Sequence, residues 1–172
     1  MKWKHLPIVA FDTETTGLHP FGGDRVIEFA AVKLHLGPNG DVVHREDHSW
    51  LVNPGIPIPK KATEITGITD SDVAGQPPFA AIAPLVRDLF VDAVTVAHNY
   101  PFDRAFLTKS FAECDEVWHE PLAEIDTVDL SIRMFPDARG HKLADLSKRM
   151  DVVLEGAHRA TNDAAACGLC FT

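Results

Sequence analysis

Runs of apolar residues in the first third of the chain predict three β-strands. They span Ile8 to Thr13, Val26 to Leu36 and Val42 to Val52. The turn-forming segment Gly37 to Asp41 predicts a hairpin, so the second and third strands should be antiparallel. Prolines and glycines from Asn53 to Pro78 predict a surface loop region. Within it, one short helical turn is expected at Thr69 to Val73, capped by Asp70 or Ser71.

The rest of the chain alternates helical and strand patterns. Helices are predicted over Phe79 to Leu89 and from near Pro101. Another is predicted after residues 123–127 and runs through Phe135, and two more cover Leu143 to Met150 and Ala160 to the C-terminus. Short strands are predicted at Val94 to Ala97 and Ala123 to Thr127, with Asn99 or Tyr100 and then Asp126 as helix caps. This order predicts an α/β fold in which a five-stranded mixed sheet, three antiparallel strands and then two parallel ones, is flanked by helices. Residues 1–172 are expected to form a single domain.

Composition and charge narrow the possible partners. The chain is 45% apolar and 24% charged, which is typical of a globular protein. Its net charge of −9 argues against broad clamping of duplex nucleic acid, so a nucleic-acid substrate would be held at a few nucleotides. No secretory signal is evident, and three cysteines are an odd number, so a reducing cytoplasmic setting is expected, with no membrane association. Cys167 and Cys170 are predicted to be core or helix-packing residues, with a metal or redox pair as the alternative.

Four carboxylates lie at the predicted ends of buried elements. Asp12 and Glu14 follow the apolar run Ile8 to Phe11, and residues two apart on a strand share one face. Ionised carboxylates there are costly unless a cation neutralises them, and the hard oxygen ligands favour Mg²⁺ or Mn²⁺ over Zn²⁺. Asp103 and Asp163 fall in the first turns of predicted helices. Each of these two could instead be only a cap or a partner of the helix dipole, and Asp12 or Glu14 could be a strand-end charge turned to solvent.

Three ordered motifs carry a resemblance to a known family. They are Asp12-Thr-Glu-Thr-Thr-Gly17, Asn99-Tyr-Pro-Phe-Asp103 and His158-Arg-Ala-Thr-Asn-Asp163. Together they resemble the DEDDh exonucleases of the ribonuclease H-like superfamily, which include the proofreading epsilon subunit of bacterial DNA polymerase III and ribonuclease T. The resemblance extends over nearly the whole chain. Tyr100 and Thr66 depart from residues common in the family, which weakens assignment to any one subfamily.

The resemblance implies a ribonuclease H-like fold and hydrolysis of nucleic acid from the 3′ end with two divalent cations, Mg²⁺ or Mn²⁺. By analogy, Asp12 would bridge both ions, while Glu14 and Asp163 would complete the tighter site. Asp103 would reach the second ion mainly through water. His158 resembles the general base of the family, although a lone histidine is more often a surface or hydrogen-bonded residue.

A second set of residues is predicted to bind the terminal nucleotide. The set is Thr13, Thr16, Gly17, Leu18, His98, Asn99 and Phe102. Gly17 would allow close approach of substrate, and Leu18 and Phe102 resemble family residues that pack on the last base or sugar. Core packing explains Phe102 equally well, and capping or supporting hydrogen bonds explain His98 and Asn99 equally well. Three basic residues could contact phosphates of the substrate, or could simply be solvated: Arg25, Lys142 and Arg159.

These observations predict a 3′-to-5′ exonuclease that releases nucleoside 5′-monophosphates from single-stranded DNA, in proofreading or repair. A DNA polymerase catalytic subunit is a potential partner. One alternative is a 3′-to-5′ exoribonuclease that trims RNA, because the sequence does not indicate whether a ribose 2′-hydroxyl is accepted. The other is a non-catalytic module that binds a polymerase or nucleic acid, although such a module has little reason to keep four mutually repelling carboxylates.

Overall fold

The computed structural model of the chain describes residues 6–153 and 159–172. The strands are β1 (Ile8–Thr15), β2 (Val26–Leu36), β3 (Val42–Leu51), β4 (Val94–Ala97) and β5 (Ala123–Asp126). The helices are α1 (Lys60–Thr66), α2 (Asp70–Val73), α3 (Phe79–Phe90), α4 (Tyr100–Glu113), α5 (Thr127–Met134), α6 (Leu143–Arg149) and α7 (Ala160–Phe171). A 3₁₀ turn, Pro20–Gly22, follows β1.

One mixed sheet with the strand order β3-β2-β1-β4-β5 organises the fold. β1 pairs antiparallel with β2 and parallel with β4, while β2–β3 is antiparallel and β4–β5 is parallel. The predicted fold class and strand directions are therefore confirmed. In the β1–β2 register Asp12 lies opposite Ala30 and Glu14 opposite Glu28, and the register shifts just after Glu14. Asp12 and Glu14 therefore lie in the second half of the central strand, close to its end at Thr15.

The two faces of β1 pack into different cores because alternate side chains point to opposite sides of a strand. Val9 and Phe11 belong to a cluster that includes apolar residues of α3 and α4. Ile8 and Ala10 belong to a second cluster that includes Ala164 and Cys167 of α7. The predicted role of Cys167 in helix packing is therefore confirmed, and Cys170 is also buried.

Helix α7 lies very close to the sheet, and Gly168 makes this possible. A Cβ atom built on Gly168 would be 2.9 Å from Ala10 Cβ and 3.2 Å from Leu34 Cδ1. Real Cβ atoms rarely approach other atoms so closely, so a larger residue would push the helix away from β1. The close packing matters for the site because α7 also carries Asp163.

The sequence prediction was wrong in part of the segment from Asn53 to Pro78. The structure has a helix there, α1, which begins after Pro59 and ends at Gly67, whose φ of 73° gives a left-handed cap. Lys60–Thr66 contains only two apolar residues, Ala62 and Ile65, so the periodic signal was too weak to reveal the helix. The cap of α2 is Thr69 rather than Asp70 or Ser71. The Thr69 backbone N–H donates a hydrogen bond to the Asp72 carboxylate at 2.8 Å.

Two predicted caps are confirmed at the carboxyl ends of β4 and β5. Asn99, with φ 66° and ψ 51°, is the N-cap of α4. Asp126 caps α5, since its side chain accepts a hydrogen bond from the Val128 N–H at 2.8 Å. None of the helices in the described residues is both long and apolar enough to cross a membrane.

Candidate active site

Three carboxylates gather where β1 ends against the first turn of α7. Asp12 and Glu14 project from the face of β1 that packs on α7, and Asp163 lies in the first turn of that helix. One ligand oxygen from each of the three lies within 4.8 Å of the others. All three side chains are half-buried. Residues about 150 positions apart in sequence therefore form one acidic cluster.

The electrostatics of this cluster disfavour three bare negative charges. Burial raises the pKa of Glu14 to about 7, and the charges of Asp163 and Glu28 add to the increase. The pKa of Asp12 is raised well above its usual range by burial and then by Asp103 and Glu14. Within residues 6–153 and 159–172, no Lys or Arg forms an ion pair with Asp12 or Glu14. A divalent cation with a preference for oxygen, such as Mg²⁺ or Mn²⁺, fits this donor set and would neutralise it.

Asp103 approaches from the other side of β1 and is bound to the strand. Its side chain is buried, and its Oδ1 accepts hydrogen bonds from the Thr13 backbone N–H at 2.8 Å and from Thr13 Oγ1 at 2.7 Å. Burial raises the pKa of Asp103 to about 7, although the two bonds from Thr13 oppose that increase. Asp103 is not one of the three carboxylates within 4.8 Å. It is close enough, however, for its charge to raise the pKa of Asp12.

Thr13 thus supports Asp103, which gives a specific prediction. Thr13→Val removes the hydroxyl donor from a buried carboxylate and keeps the shape of the side chain. We expect it to lower the free energy of unfolding by about 1–3 kcal/mol at pH 8, where Asp103 is largely ionised. Urea unfolding measures this change. Thr13→Ser keeps the hydroxyl and is the matched control. Equal stability of the valine and serine variants would contradict the assigned role.

A cavity of about 490 Å³ opens beside Glu14. Its walls are the end of β1 and the turn after it, one side of α1, and Phe102. Five residues of the predicted nucleotide-binding set line it: Thr13, Thr16, Gly17, Leu18 and Phe102. Leu18 is 69% exposed and Phe102 is half-buried, so apolar surface is available to a ligand. The α1 wall, with Lys61 and Ile65, was missed from the sequence together with the helix itself.

The turn between Thr16 and Asp24 is held by one carboxylate. Asp24 accepts hydrogen bonds from the His19 N–H at 2.8 Å and from Thr16 Oγ1 at 3.2 Å. A Cβ atom on Gly17 would lie 2.4 Å from Asp24 Oδ2. A side chain at position 17 would therefore displace the Asp24 carboxylate that holds this turn, a reason for glycine that differs from the substrate approach expected from the sequence.

His98 and Asn99 do not line this cavity. His98 Nδ1 is hydrogen-bonded to Thr127 Oγ1 at 2.9 Å, and burial lowers the pKa of His98. The Asn99 backbone N–H donates to Asp126 Oδ1 at 3.0 Å. These contacts favour the alternative stated above, in which both residues support the carboxyl ends of β4 and β5.

Two of the three basic residues considered for phosphate binding form ion pairs. Arg25 Nη2 lies 3.1 Å from Glu113 Oε1, and Arg159 Nη2 lies 3.0 Å from Glu28 Oε1. Glu28 was not identified from the sequence, although a charged residue inside the apolar run of β2 is a signal that could have indicated it. His158, predicted as the general base, lies outside the described residues.

Strand order and the position of the carboxylates define the class: the fold is ribonuclease H-like. A family model described as Exonuclease (RNase_T) matches residues 9–171, and the chain belongs to this family. Its membership marks it as a hydrolytic nuclease.

Named relatives agree with this assignment. The chain is 40% identical over 168 residues to a DNA polymerase III subunit epsilon-like protein of Rhodobacter capsulatus, a match that covers 96% of this chain and 23% of that protein. It is 37% identical over 164 residues to the 3′-5′ exonuclease DinG of Bacillus subtilis, a match that covers 95% of this chain and 17% of that protein. The chain thus spans less than a quarter of these curated relatives.

Solved structures show the same fold. An Escherichia coli exonuclease I–single-stranded DNA complex matches with a TM-score of 0.80 and 22% identity, covering 95% of this chain and 39% of that one. Exonuclease X in complex with 5′ overhanging duplex DNA matches with a TM-score of 0.71 and 26% identity, covering 95% of this chain and 88% of that one.

Proposed function

We propose that this chain is a metal-dependent 3′-to-5′ exonuclease that removes nucleoside 5′-monophosphates from the 3′ end of single-stranded DNA. The observation that carries the proposal is the shared position of Glu14, which belongs both to the acidic cluster and to the wall of the 490 Å³ cavity. A terminal nucleotide in that cavity would therefore present its phosphodiester to the carboxylates. The cavity volume falls within the ~300–1,000 Å³ range of small-ligand sites.

Each acidic residue has a proposed role. Asp12, Glu14 and Asp163 would hold divalent cations, and Asp103 would hold a water ligand of the second ion. Two bound cations would supply an activated water and charge neutralisation at the leaving 3′-oxygen. His158 would accept the proton of the attacking water. Thr13 would keep Asp103 in place through the two hydrogen bonds that it donates.

The remaining groups would orient the substrate. Leu18 and Phe102 offer apolar surface on which the last base or sugar can pack, and such contacts tolerate any base. Thr16 and Gly17 present the backbone of the cavity wall, held by Asp24. Lys61 on the α1 wall is an exposed cation positioned to attract a phosphate.

A role in proofreading or repair, with a DNA polymerase subunit as partner, is supported by the polymerase III relatives. Residues 1–172 would act as the exonuclease domain. The three cysteines are free thiols, which suits action in the reducing cytoplasm.

The test is digestion of matched 5′-labelled DNA and RNA oligonucleotides with Mg²⁺ or Mn²⁺. We expect a ladder of DNA products shortened from the 3′ end, with deoxynucleoside 5′-monophosphates released and RNA degraded more slowly. A 3′-phosphorylated DNA strand is the control for polarity. Faster degradation of RNA would establish the exoribonuclease alternative. Binding of both strands without shortening of either would favour the non-catalytic module.

A further inference from the structure

Glu28 on β2 is a buried carboxylate that the proposed chemistry does not use. Its side chain is 1% exposed, and it lies opposite Glu14 in the β1–β2 register. Its charge contributes to the raised pKa values of Asp12 and Glu14. A buried carboxylate beside two others is unfavourable unless its own contacts compensate.

Both oxygens of Glu28 are occupied by donors from other elements. Oε1 accepts from Arg159 Nη2 at 3.0 Å and from Ser49 Oγ on β3 at 3.3 Å. Oε2 accepts from Arg159 Nε at 3.3 Å and from the Ala160 backbone N–H at 3.2 Å. Arg159 is the N-cap of α7 and Ala160 is its first residue. Glu28 therefore joins the start of α7 to the strand that pairs with β1.

We propose that Glu28 is a positioning residue that fixes Asp163 relative to Asp12 and Glu14 and so sets the affinity of the cluster for a divalent cation. Asp163 follows Ala160 by three residues in the same helix, so a displacement of the helix start moves both together. β1 is fixed to Glu28 through the strand register. The inference rests on the proposed function, because the role of the cluster as a metal site belongs to that proposal.

Mn²⁺ affinity of the full chain, measured by electron paramagnetic resonance titration, tests the inference. We expect Glu28→Gln and Arg159→Met each to weaken Mn²⁺ binding by roughly 10- to 100-fold, the usual effect of losing a group that orients metal ligands. Ser49→Ala is the matched control, because it removes a donor to the same carboxylate without touching α7. Its affinity should stay within about twofold of the wild-type value.

The direction in which Arg159→Met changes Mn²⁺ affinity distinguishes positioning of Asp163 from a purely electrostatic effect. Removing a positive charge near the cluster should tighten Mn²⁺ binding if only the electrostatic field matters, whereas loss of positioning weakens it. Positioning also predicts that Glu28→Gln has no further effect once Asp163→Asn has removed the positioned ligand. Unchanged or tighter binding in Arg159→Met overturns the inference, whether or not Glu28→Gln folds. A wild-type chain that binds no Mn²⁺ overturns the proposed function as well, so the two failures are distinct.

Discussion

Asp12→Asn is expected to lower the exonuclease rate by about 10³-fold or more. Asp12 is the member of the acidic cluster whose pKa is raised by burial and by four neighbouring carboxylates, and it is the proposed ligand of both cations. Loss of one charged ligand removes several kcal/mol of transition-state stabilisation, and each ~1.36 kcal/mol is a factor of ten in rate. Hydrolysis of a labelled single-stranded DNA at saturating Mn²⁺ measures the change.

The same substitution should stabilise the metal-free protein. The amide that replaces the Asp12 carboxylate carries no charge, so the repulsion from Glu14, Asp103 and Asp163 that raises the pKa of Asp12 disappears. We expect a higher melting temperature than that of the wild-type protein in chelator at pH 8. Asp47→Asn, on the exposed edge strand β3, is the matched control and should change neither quantity much. A substituted protein that is both active and no more stable would contradict the metal-site interpretation of the cluster.

The sheet could be predicted because its strands carry strong local signals. β2 and β4 were predicted with the bounds that the structure shows, since both are bounded by turn residues and consist largely of buried apolar side chains. α1 was not predicted, because the seven-residue segment Lys60–Thr66 has only two apolar residues, Ala62 and Ile65, which is too few for a clear periodic signal. Ala62 instead packs with Ile58, Ile68 and Val73 in a small cluster that forms only in the folded chain.

The site was partly predictable for a similar reason. Asp12 and Glu14 share a face by the two-residue period of a strand, so their proximity follows from local geometry. The motif pattern indicated Asp163, which the structure places beside them. The contact of Glu28 with Arg159 could not be foreseen, because it joins residues 131 positions apart. The wall of the cavity that α1 forms was not predicted, because the helix itself was not predicted.

Metal binding should depend steeply on pH, because protons and cations compete for the same oxygens. The pKa values of Glu14 and Asp103 are raised to about 7, and that of Asp12 is raised as well. Below pH 7 each proton that a cation must displace lowers its apparent affinity about tenfold per pH unit. Between pH 7 and pH 5 we therefore expect Mn²⁺ affinity to fall by roughly 10²-fold for one proton and up to about 10⁴-fold for two.

The stability of the metal-free protein should instead increase as the pH falls. Between about pH 4.5, the ordinary pKa of Glu14, and about pH 7, the folded protein holds a proton that the unfolded chain has released. Stability from this group is therefore fully present below that window and is lost as the pH rises through it, by about 3 kcal/mol. Melting curves in chelator and in Mn²⁺ should diverge as the pH passes 7. Glu14→Gln removes the titrating group and should flatten the chelator curve relative to the wild-type protein. Identical pH dependence of the two proteins would contradict the raised pKa of Glu14 and, with it, the electrostatic argument for a cation beside that residue.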